Sequence, residues 1–168
     1  MSFNAYGFFT MNGNAIAGDC TVSSMGGDDV SADSCEIFEV NWGVTTAAEG
    51  SSGARRGSRR MQDRPITIMK RIDGASPMLM QALVENQTIA GRIDFYDTSQ
   101  EDGTTRKRYT IEVEGARVVD IDATSPNTLD SNLSSSPMTE KVQFVFHTVT
   151  HTDHVQSKEY RYEWGTAV

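Results

Sequence analysis

The densest cluster of chemically active side chains in this sequence is a run of arginines. The stretch TAAEGSSGARRGSRRMQD, residues 46–63, carries four of them on a Gly- and Ser-rich segment: Arg55, Arg56, Arg59 and Arg60. A guanidinium stays charged at physiological pH and matches the geometry of carboxylates and phosphates. The run therefore predicts a binding segment whose negative partner is nucleic acid, a membrane surface or another protein surface.

The chain as a whole is acidic, with a formal net charge of −8. Residues 54–71 hold seven basic side chains against the single acid Asp63, so the rest of the chain carries −14. Residues 19–39 contain no basic residue and six carboxylates, which form a candidate acidic docking patch: Asp19, Asp28, Asp29, Asp33, Glu36 and Glu39. The sequence therefore combines a positive segment with a negative one.

Nucleic acid and membrane are the weaker candidates for the partner. Nucleic-acid-binding domains are usually basic overall and offer aromatic rings for stacking, but residues 43–94 contain no aromatic residue. The segment also lacks the apolar anchors of a membrane-surface helix. The acidic surface of a neighbouring copy fits the charges best, and such head-to-tail contacts generate rings or filaments. A solvated segment with incidental charge is the remaining alternative.

The histidines give no specific sign of catalysis. His147, His151 and His154 lie with Asp153 in the run HTVTHTDH, which invites a metal site. The spacing matches no zinc motif, however, and the run is predicted to be a hairpin turn. The chain also lacks the nucleophile elbow, the phosphate-binding loop and the dinucleotide fingerprint. No catalytic residue, metal ligand or cofactor is therefore predicted.

Cys20 and Cys35 are the two cysteines of the chain. The start, MSFNAYGFFTMNG, has no basic residue before its apolar residues, and no stretch approaches the roughly 20 apolar residues of a membrane helix. The chain is therefore expected to lack a signal peptide and to fold in a cytoplasm, where free thiols are favoured over a disulfide between the two cysteines. Its length suits a single domain, residues 1–168.

Most of the sequence alternates with the period of two that is typical of strands. Strands are predicted near residues 3–10, 38–44, 65–72, 90–96, 109–115, 117–123, 141–147 and 159–164. In FEVNWGV and EYRYEW the alternation is predicted to place these apolar residues on one face of each strand: Phe38, Val40, Trp42 and Val44, and Tyr160, Tyr162 and Trp164. Such strands suit an antiparallel sandwich or barrel.

One stretch, DGASPMLMQALVEN, predicts a helix instead. Ser76 is the expected N-cap, Pro77 suits the first turn, and Leu79, Ala82 and Leu83 form one apolar stripe. Long loops are predicted at residues 11–35, 45–60 and 123–137, and loops of this length in a small domain are functional or disordered.

Four stretches in order resemble the Hcp family, the haemolysin-coregulated proteins of the type VI secretion inner tube. RPITIMKRIDGASPMLMQALVENQTIAGRIDFY looks like the family's strand, capped helix and following strand. FEVNWGV resembles the strand before the family's long loop, and MNGNAIAGDCT resembles its early turn, with Asp-Cys where Glu-Ser is usual. EKVQFVFHTVTHTDHVQSKEYRYEW matches the closing strands. The Gly-rich segment 20–35, the long loop 123–137 and the arginine density depart from the family pattern.

The resemblance implies an antiparallel β-barrel with one short flanking α-helix and no enzymatic activity. It implies homohexameric rings that stack into a tube, partnered by a contractile sheath, a spike protein and secreted effectors, and released from the cytoplasm through the apparatus. It also implies that the loop from Thr45 to Arg60 reaches a neighbouring subunit or ring, through Glu49, Gly50, Ser51, Ser52, Gly53, Arg55, Arg56, Arg59 and Arg60. That the acidic docking patch receives the loop is an inference from charge alone.

Two other functions remain open from the sequence. The first is the tail-tube protein of a phage-like or extracellular contractile injection particle, which shares the same ring logic. The second is a monomeric ligand-binding β domain, which would stay monomeric at high concentration. An enzyme is the weakest interpretation, because no candidate site has a specific arrangement of residues.

Overall fold

Strands dominate the part of the chain that the computed structural model describes, residues 3–31, 33–47 and 60–164. The predicted mainly β fold with one short helix is confirmed. None of the described residues forms a helix long and apolar enough to span a membrane. The elements in chain order are β1 Asn4–Met11, β2 Asn14–Ile16, β3 Ser24–Met25, β4 Asp28–Asp29, β5 Ser34–Ala47, β6 Arg60–Arg71, α1 Ser76–Val84, β7 Ile89–Thr98, β8 Thr105–Thr124, β9 Thr139–Val145, β10 Thr148–Asp153 and β11 Lys158–Glu163.

The main sheet closes on itself through antiparallel pairs. Its hydrogen-bonded order is β11-β10-β8-β7-β1-β5-β6-β9, and β9 pairs again with β8. Six strands, β8, β7, β1, β5, β6 and β9, therefore form a closed sheet, and β10 and β11 extend from β8. The short strand β2 pairs with β1, while β3 and β4 form a separate two-stranded sheet within the segment predicted as a loop.

Closure depends on β8, which is 20 residues long and changes partners along its length. Its first part pairs with β7 and β10, and its last part, from Arg117 to Thr124, pairs with β9. The change occurs at a bulge at Gly115, which has a φ of +61° that favours glycine. The predicted strands 109–115 and 117–123 are therefore one strand, bent at this glycine.

The core lies inside the closed sheet and follows the alternation of the strands. Ile111 and Val113 on β8 and Val142 and Phe144 on β9 are buried, as the period of two predicts. Phe9 of β1 stacks on Phe144 with 5.5 Å between ring centroids. Gly7 and Gly91 flank Phe9, and a Cβ at either position would lie 2.7 Å from its ring. The two glycines thus make room for the central aromatic pair.

Two irregularities in the pairing of β5 with β6, the first a bulge in β5 and the second an extra residue in β6, overturn the predicted single apolar face of FEVNWGV. The register with β6 shifts between Ile37 and Glu39 and again between Asn41 and Gly43. As a result Ile37 is buried, Val40 contacts the core, and Phe38 is 47% exposed. Periodicity alone does not reveal a bulge, because the extra residue changes the face of every side chain that follows it.

The helix begins one residue earlier than predicted. Ala75 is the N-cap residue, Ser76 is the first residue of α1, and Pro77 occupies the first turn as expected. The predicted Ser76 cap is wrong: the Ser76 hydroxyl accepts the Asp73 N–H at 3.0 Å and donates to Glu140 at 2.7 Å, so it caps no amide of the first turn. The buried residues Leu79 and Ala82 place the apolar stripe of the helix against the core.

Candidate functional site

The ends of the predicted docking loop are strand. Thr45, Thr46 and Ala47 extend β5, and Arg60 begins β6, paired with Ala47. The prediction that residues 45–60 form one loop is therefore wrong at both ends. The remaining loop residues lie outside the described part of the chain: Glu49, Gly50, Ser51, Ser52, Gly53, Arg55, Arg56 and Arg59.

Two residues of the acidic docking patch form ion pairs within their own chain. Asp28 accepts a hydrogen bond from the Tyr96 hydroxyl at 2.8 Å and pairs with Lys107 at 3.0 Å. The Tyr96 hydrogen bond, reinforced by Lys107, holds the pKa of Asp28 below its usual range. Glu36 accepts from the Thr21 backbone N–H at 3.0 Å and pairs with Arg71 at 3.2 Å. Their charges are therefore partly neutralised before any second copy approaches.

The other four carboxylates of the patch are placed differently. Asp19 accepts the Gly74 N–H at 3.2 Å, next to the start of the helix. Asp29 closes a local turn by accepting the backbone N–H and the hydroxyl of Ser31 at 3.0 and 2.7 Å. Asp33, with a φ of +60°, and Glu39 are exposed. Four of the six acidic residues thus have partners within their own chain, both inside and outside the segment that carries them.

That segment covers a second, smaller hydrophobic cluster. Tyr6, Val30 and Tyr96 are buried there, and Phe8, Cys20, Val22 and Met25 pack against them. Both cysteines are free thiols, and burial raises the pKa of Cys35 to about 12. A thiol with so high a pKa is a poor nucleophile at neutral pH. The Gly-rich segment is therefore an ordered part of the fold.

The histidine run is a strand and not the predicted turn. Residues 148–153 form β10, and the turn lies at residues 154–157. His154 Nε2 lies 2.7 Å from the Thr110 hydroxyl, while His151 stacks between Tyr109 and Tyr162 at 5.9 and 6.4 Å. Within the described residues no three His, Cys, Asp or Glu side chains converge as a metal site.

Sequence analysis missed an open groove lined by aromatic rings beside this strand. Its volume is about 430 Å³, and its walls include Trp42, Tyr109, His151, Tyr160, Tyr162 and Arg64. We call it the aromatic groove. The rings form a row across β5, β8, β10 and β11, with Trp42 stacked on Tyr109 at 6.5 Å and Tyr160 against Tyr162 at 6.0 Å. Trp42 is 42% and Tyr160 69% exposed, which are large fractions for aromatic side chains.

A half-buried carboxylate lies in the hollow beside this groove. The Tyr162 hydroxyl donates to Asp63 Oδ1 at 2.9 Å, and burial, aided by this bond, raises the pKa of Tyr162. Asp63 Oδ2 and His151 Nδ1 are buried without a hydrogen-bond partner in the described residues. A neighbouring hollow of about 320 Å³ continues past Asp63 and Arg64 to Trp164. The two hollows share Arg64, so they form one continuous depression.

The alternation in EYRYEW did place Tyr160 and Tyr162 on one face, but it could not show what they meet. Trp42 and Tyr162 are 120 positions apart and come together only because the sheet that joins β5 to β11 through β1, β7, β8 and β10 closes on itself. Pairing between distant strands is not encoded in local periodicity. The groove was therefore beyond the reach of pattern analysis.

A buried ionic cluster lies at the other end of β6. Lys70 is fully buried and pairs with Asp73 at 2.7 Å and Glu140 at 2.9 Å. Burial acts to lower the pKa of Lys70, but hydrogen bonds to both carboxylates outweigh it and keep the pKa above its ordinary value. The Ser76 hydroxyl donates to Glu140 at 2.7 Å. This permanently charged lysine ties β6, β9 and the helix start together and has no free lone pair for chemistry.

Comparison with known proteins points to one family. The family model described as type VI secretion system effector, Hcp, matches residues 8–152. The "Major exported protein" of Pseudomonas aeruginosa is 29% identical over 162 residues, 95% of this chain and 92% of that protein. The crystal structure of an Hcp protein has a TM-score of 0.81 at 17% identity, covering 97% and 98% of the two chains. The secreted protein Hcp3 from Pseudomonas aeruginosa has a TM-score of 0.75 at 22% identity, covering 98% and 100%.

Proposed function

Because the chain belongs to the Hcp family of type VI secretion system proteins, we propose that it is the structural subunit of the system's inner tube. Six copies close into a ring, and rings stack into a hollow tube that carries effectors. The observation that carries this proposal is the family match over residues 8–152, which spans β1 to β10. The same span contains the closed sheet that such a ring requires as its building block.

The proposed partners follow from the tube. A contracting sheath surrounds it, a spike protein caps it, and secreted effectors travel in its lumen. The chain is made in the bacterial cytoplasm and leaves through the apparatus. A relative named "Major exported protein" supports export, and the relative and this chain match over nearly their full lengths. Residues 1–168 are proposed to act as one domain.

The proposed role is mechanical and not enzymatic. The titratable groups with partners in the described residues serve the fold: Lys70 is held by two carboxylates, and Cys35 is a buried thiol with a raised pKa. Neither is an activated nucleophile or base. No cofactor is required for the proposed function.

Contact between copies is proposed to involve the arginine-rich loop. It extends from the hairpin of β5 and β6, whose paired tips are Ala47 and Arg60. Of the acidic docking patch, Asp33 and Glu39 are exposed, whereas Asp28 and Glu36 already have cationic partners. A ring contact of ordinary stability buries about 1,600 Å² in total, so charge pairs alone would not hold a ring together.

The test of the ring is particle shape and mass. Negative-stain microscopy of the purified protein is expected to show annular particles, and sedimentation to give about six times the 18.5 kDa of one chain. Stacked rings or tubes are expected at high concentration. A monomer at every concentration, with no annular particles, would refute the proposal and favour the monomeric ligand-binding domain.

A further inference from the structure

We infer that the aromatic groove is the receptor for the arginine-rich segment of a second copy of this chain. The occupant is an arginine side chain from residues 55–60, whose guanidinium stacks on the exposed rings and lies over Asp63. This inference rests on the proposed tube function and specifies one of its contacts. It replaces the acidic docking patch as the site where the loop binds.

The row of aromatic rings is the first feature of the groove that suits an arginine. Trp42, Tyr109, His151, Tyr162 and Tyr160 form one row, with successive centroids 5.9–6.5 Å apart. Aromatic faces attract cations, and the planar guanidinium of arginine uses them better than the ammonium of lysine does. Trp42 and Tyr160, at the two ends of the row, are exposed in a single copy, whereas Tyr109, His151 and Tyr162 between them are half-buried.

The carboxylate of Asp63 is the second feature that suits an arginine. Asp63 forms no ion pair with any described residue, and its Oδ2 atom, like His151 Nδ1, is buried without a partner. His151 lines the aromatic groove, and Asp63 lines the neighbouring hollow. An ionised carboxylate only accepts hydrogen bonds, and a guanidinium only donates them. A small rotation of the half-buried Asp63 side chain presents Oδ2 to a guanidinium seated on the rings.

Arg64 is the cation among the lining residues of the groove. Its side chain is exposed and lies along Gly43, where an added Cβ would be 3.5 Å from Arg64 Cδ. The arginine-rich segment carries one carboxylate, Glu49, ahead of its arginines. Both surfaces therefore carry both signs, and we propose that Glu49 pairs with Arg64 and an arginine with Asp63.

The acidic docking patch is the weaker receptor on the same criteria. Asp28 and Glu36 have Lys107 and Arg71 as partners, and Asp19 and Asp29 bond to backbone amides. Replacing an internal partner by an external one gains little, whereas filling an unsatisfied acceptor gains a whole hydrogen bond. The sequence alone does not distinguish a carboxylate that is already paired from one that is not, because cationic partners such as Lys107 and Arg71 lie on other strands.

Binding is tested with a synthetic peptide of residues 48–60, AEGSSGARRGSRR. The receptor is the full chain with Arg55→Ser, Arg56→Ser, Arg59→Ser and Arg60→Ser, so that its own arginines cannot compete. Both tryptophans of the chain border the depression, so their fluorescence reports occupancy directly. Saturable binding is expected. A peptide with lysine at all four arginine positions keeps the charge but loses the planar fork, and its affinity is expected to fall about tenfold.

Variants of the receptor locate the site. Asp63→Asn keeps the Tyr162 hydrogen bond and removes the charge, and Tyr160→Ser removes an exposed ring; each is expected to weaken binding about tenfold. The matched control, Asp33→Asn with Glu39→Gln, removes two exposed carboxylates of the acidic patch and is expected to leave binding unchanged. Equal affinity for the lysine peptide, or loss of binding only in the control, would overturn the inference, as would the absence of binding.

Complementation shows whether the contact joins two copies. The segment variant (Arg55→Ser, Arg56→Ser, Arg59→Ser) and the groove variant (Asp63→Asn, Tyr160→Ser) are each expected to give single rings that do not stack. When preformed rings of the two variants are mixed, they are expected to join in pairs, because the groove variant supplies an intact segment and the segment variant an intact groove. Growth is expected to stop at the pair, because neither outer face can form a further contact. If the segment fills the groove of its own chain, mixing changes nothing and the inference fails. If rings form but do not pair on mixing, the inference about the groove fails while the tube proposal stands. If neither variant nor the natural chain forms rings, the tube proposal itself is refuted.

Discussion

The buried charge of Lys70 is paired with one carboxylate close in the sequence and one from a distant strand. It connects Asp73, next to the helix, with Glu140 on β9, and all three side chains are almost completely buried. The sequence KRIDGASP offered the residue types without showing that Glu140 would meet them. Burying one cation between two carboxylates is stable only while every partner is present.

Lys70→Met is therefore expected to destabilise the fold by about 3–5 kcal/mol, because it leaves two buried carboxylates without a counter-charge. The midpoint of urea unfolding measures this loss. The matched variant Lys70→Met with Glu140→Gln removes one of the stranded charges and should recover part of the stability. A single variant as stable as the double one would show that the carboxylates do not interact.

His151 makes stability depend on pH near neutrality. Burial lowers the pKa of His151 below its ordinary value of 6.5, so the folded chain holds the ring neutral. The unfolded chain binds a proton below about pH 6.5, so stability is lost as the pH falls from there to the lower folded pKa. The carboxylate of Asp28, whose pKa is lowered from 3.8, acts in a separate and more acidic window.

His151→Phe keeps an aromatic ring in the row and removes the titration. The decrease in unfolding free energy between pH 7 and pH 5 is expected to be smaller in this variant than in the natural chain. Urea unfolding at several pH values measures the difference. Equal slopes in the two proteins would mean that the His151 ring is solvated and not buried.

At the scale of elements, the period of two predicted most strands, and the capping residues and apolar stripe predicted the helix. The irregular positions were not predicted. Residues such as Ile111, Val113, Val142 and Phe144 follow the period of two and are buried as expected. The bulge near Phe38 and the strand that contains His151 were missed. Bulges and edge strands depend on which strand lies alongside, and a single sequence does not give that information.

Replacing the glycine at the Gly115 bulge is expected to lower the free energy of unfolding. Gly115→Ala forces a Cβ into a left-handed backbone and within 2.9 Å of His147 Cβ. Gly103→Ala is the matched control, because Gly103 has a φ of +72° and no atom within 4 Å of its added Cβ. The control should cost about 1–2 kcal/mol from backbone strain alone. The Gly115 variant should cost about 1–3 kcal/mol more. Thermal unfolding compares them, and equal losses would show that the His147 contact relaxes freely.

At the scale of the whole molecule, the fold class and the family were predictable, but the receptor for the arginine-rich segment was not. The order of four stretches carried the resemblance, and the family match over residues 8–152 agrees with it. The aromatic groove depends on a pairing order that joins β5 to β11 through four other strands. Charge was visible in the sequence, whereas the internal pairing that neutralises much of it was visible only in the structure.

Stacking of rings is expected to weaken with salt, since the Debye length falls from about 10 Å at 0.1 M to 3 Å at 1 M. Sedimentation across this range should show tubes separating into rings. Replacing Arg55, Arg56, Arg59 and Arg60 with Ser should abolish stacking while unfolding remains unchanged. Tubes that persist in 1 M salt, or that form from the serine variant, would contradict an electrostatic docking of the segment.

The position of β1 in the sheet has a consequence for synthesis. This strand lies between β5 and β7, and Phe9 faces Gly91, more than 80 residues downstream. β5 follows β1 closely enough in the sequence to pair with one edge of it early, but the other edge must wait, unpaired, until β7 has been translated. Pairings at such separation are slow to form and leave nascent chains prone to aggregation. A cell that makes this protein in quantity depends on keeping that unpaired edge out of contact with neighbouring chains on the polysome.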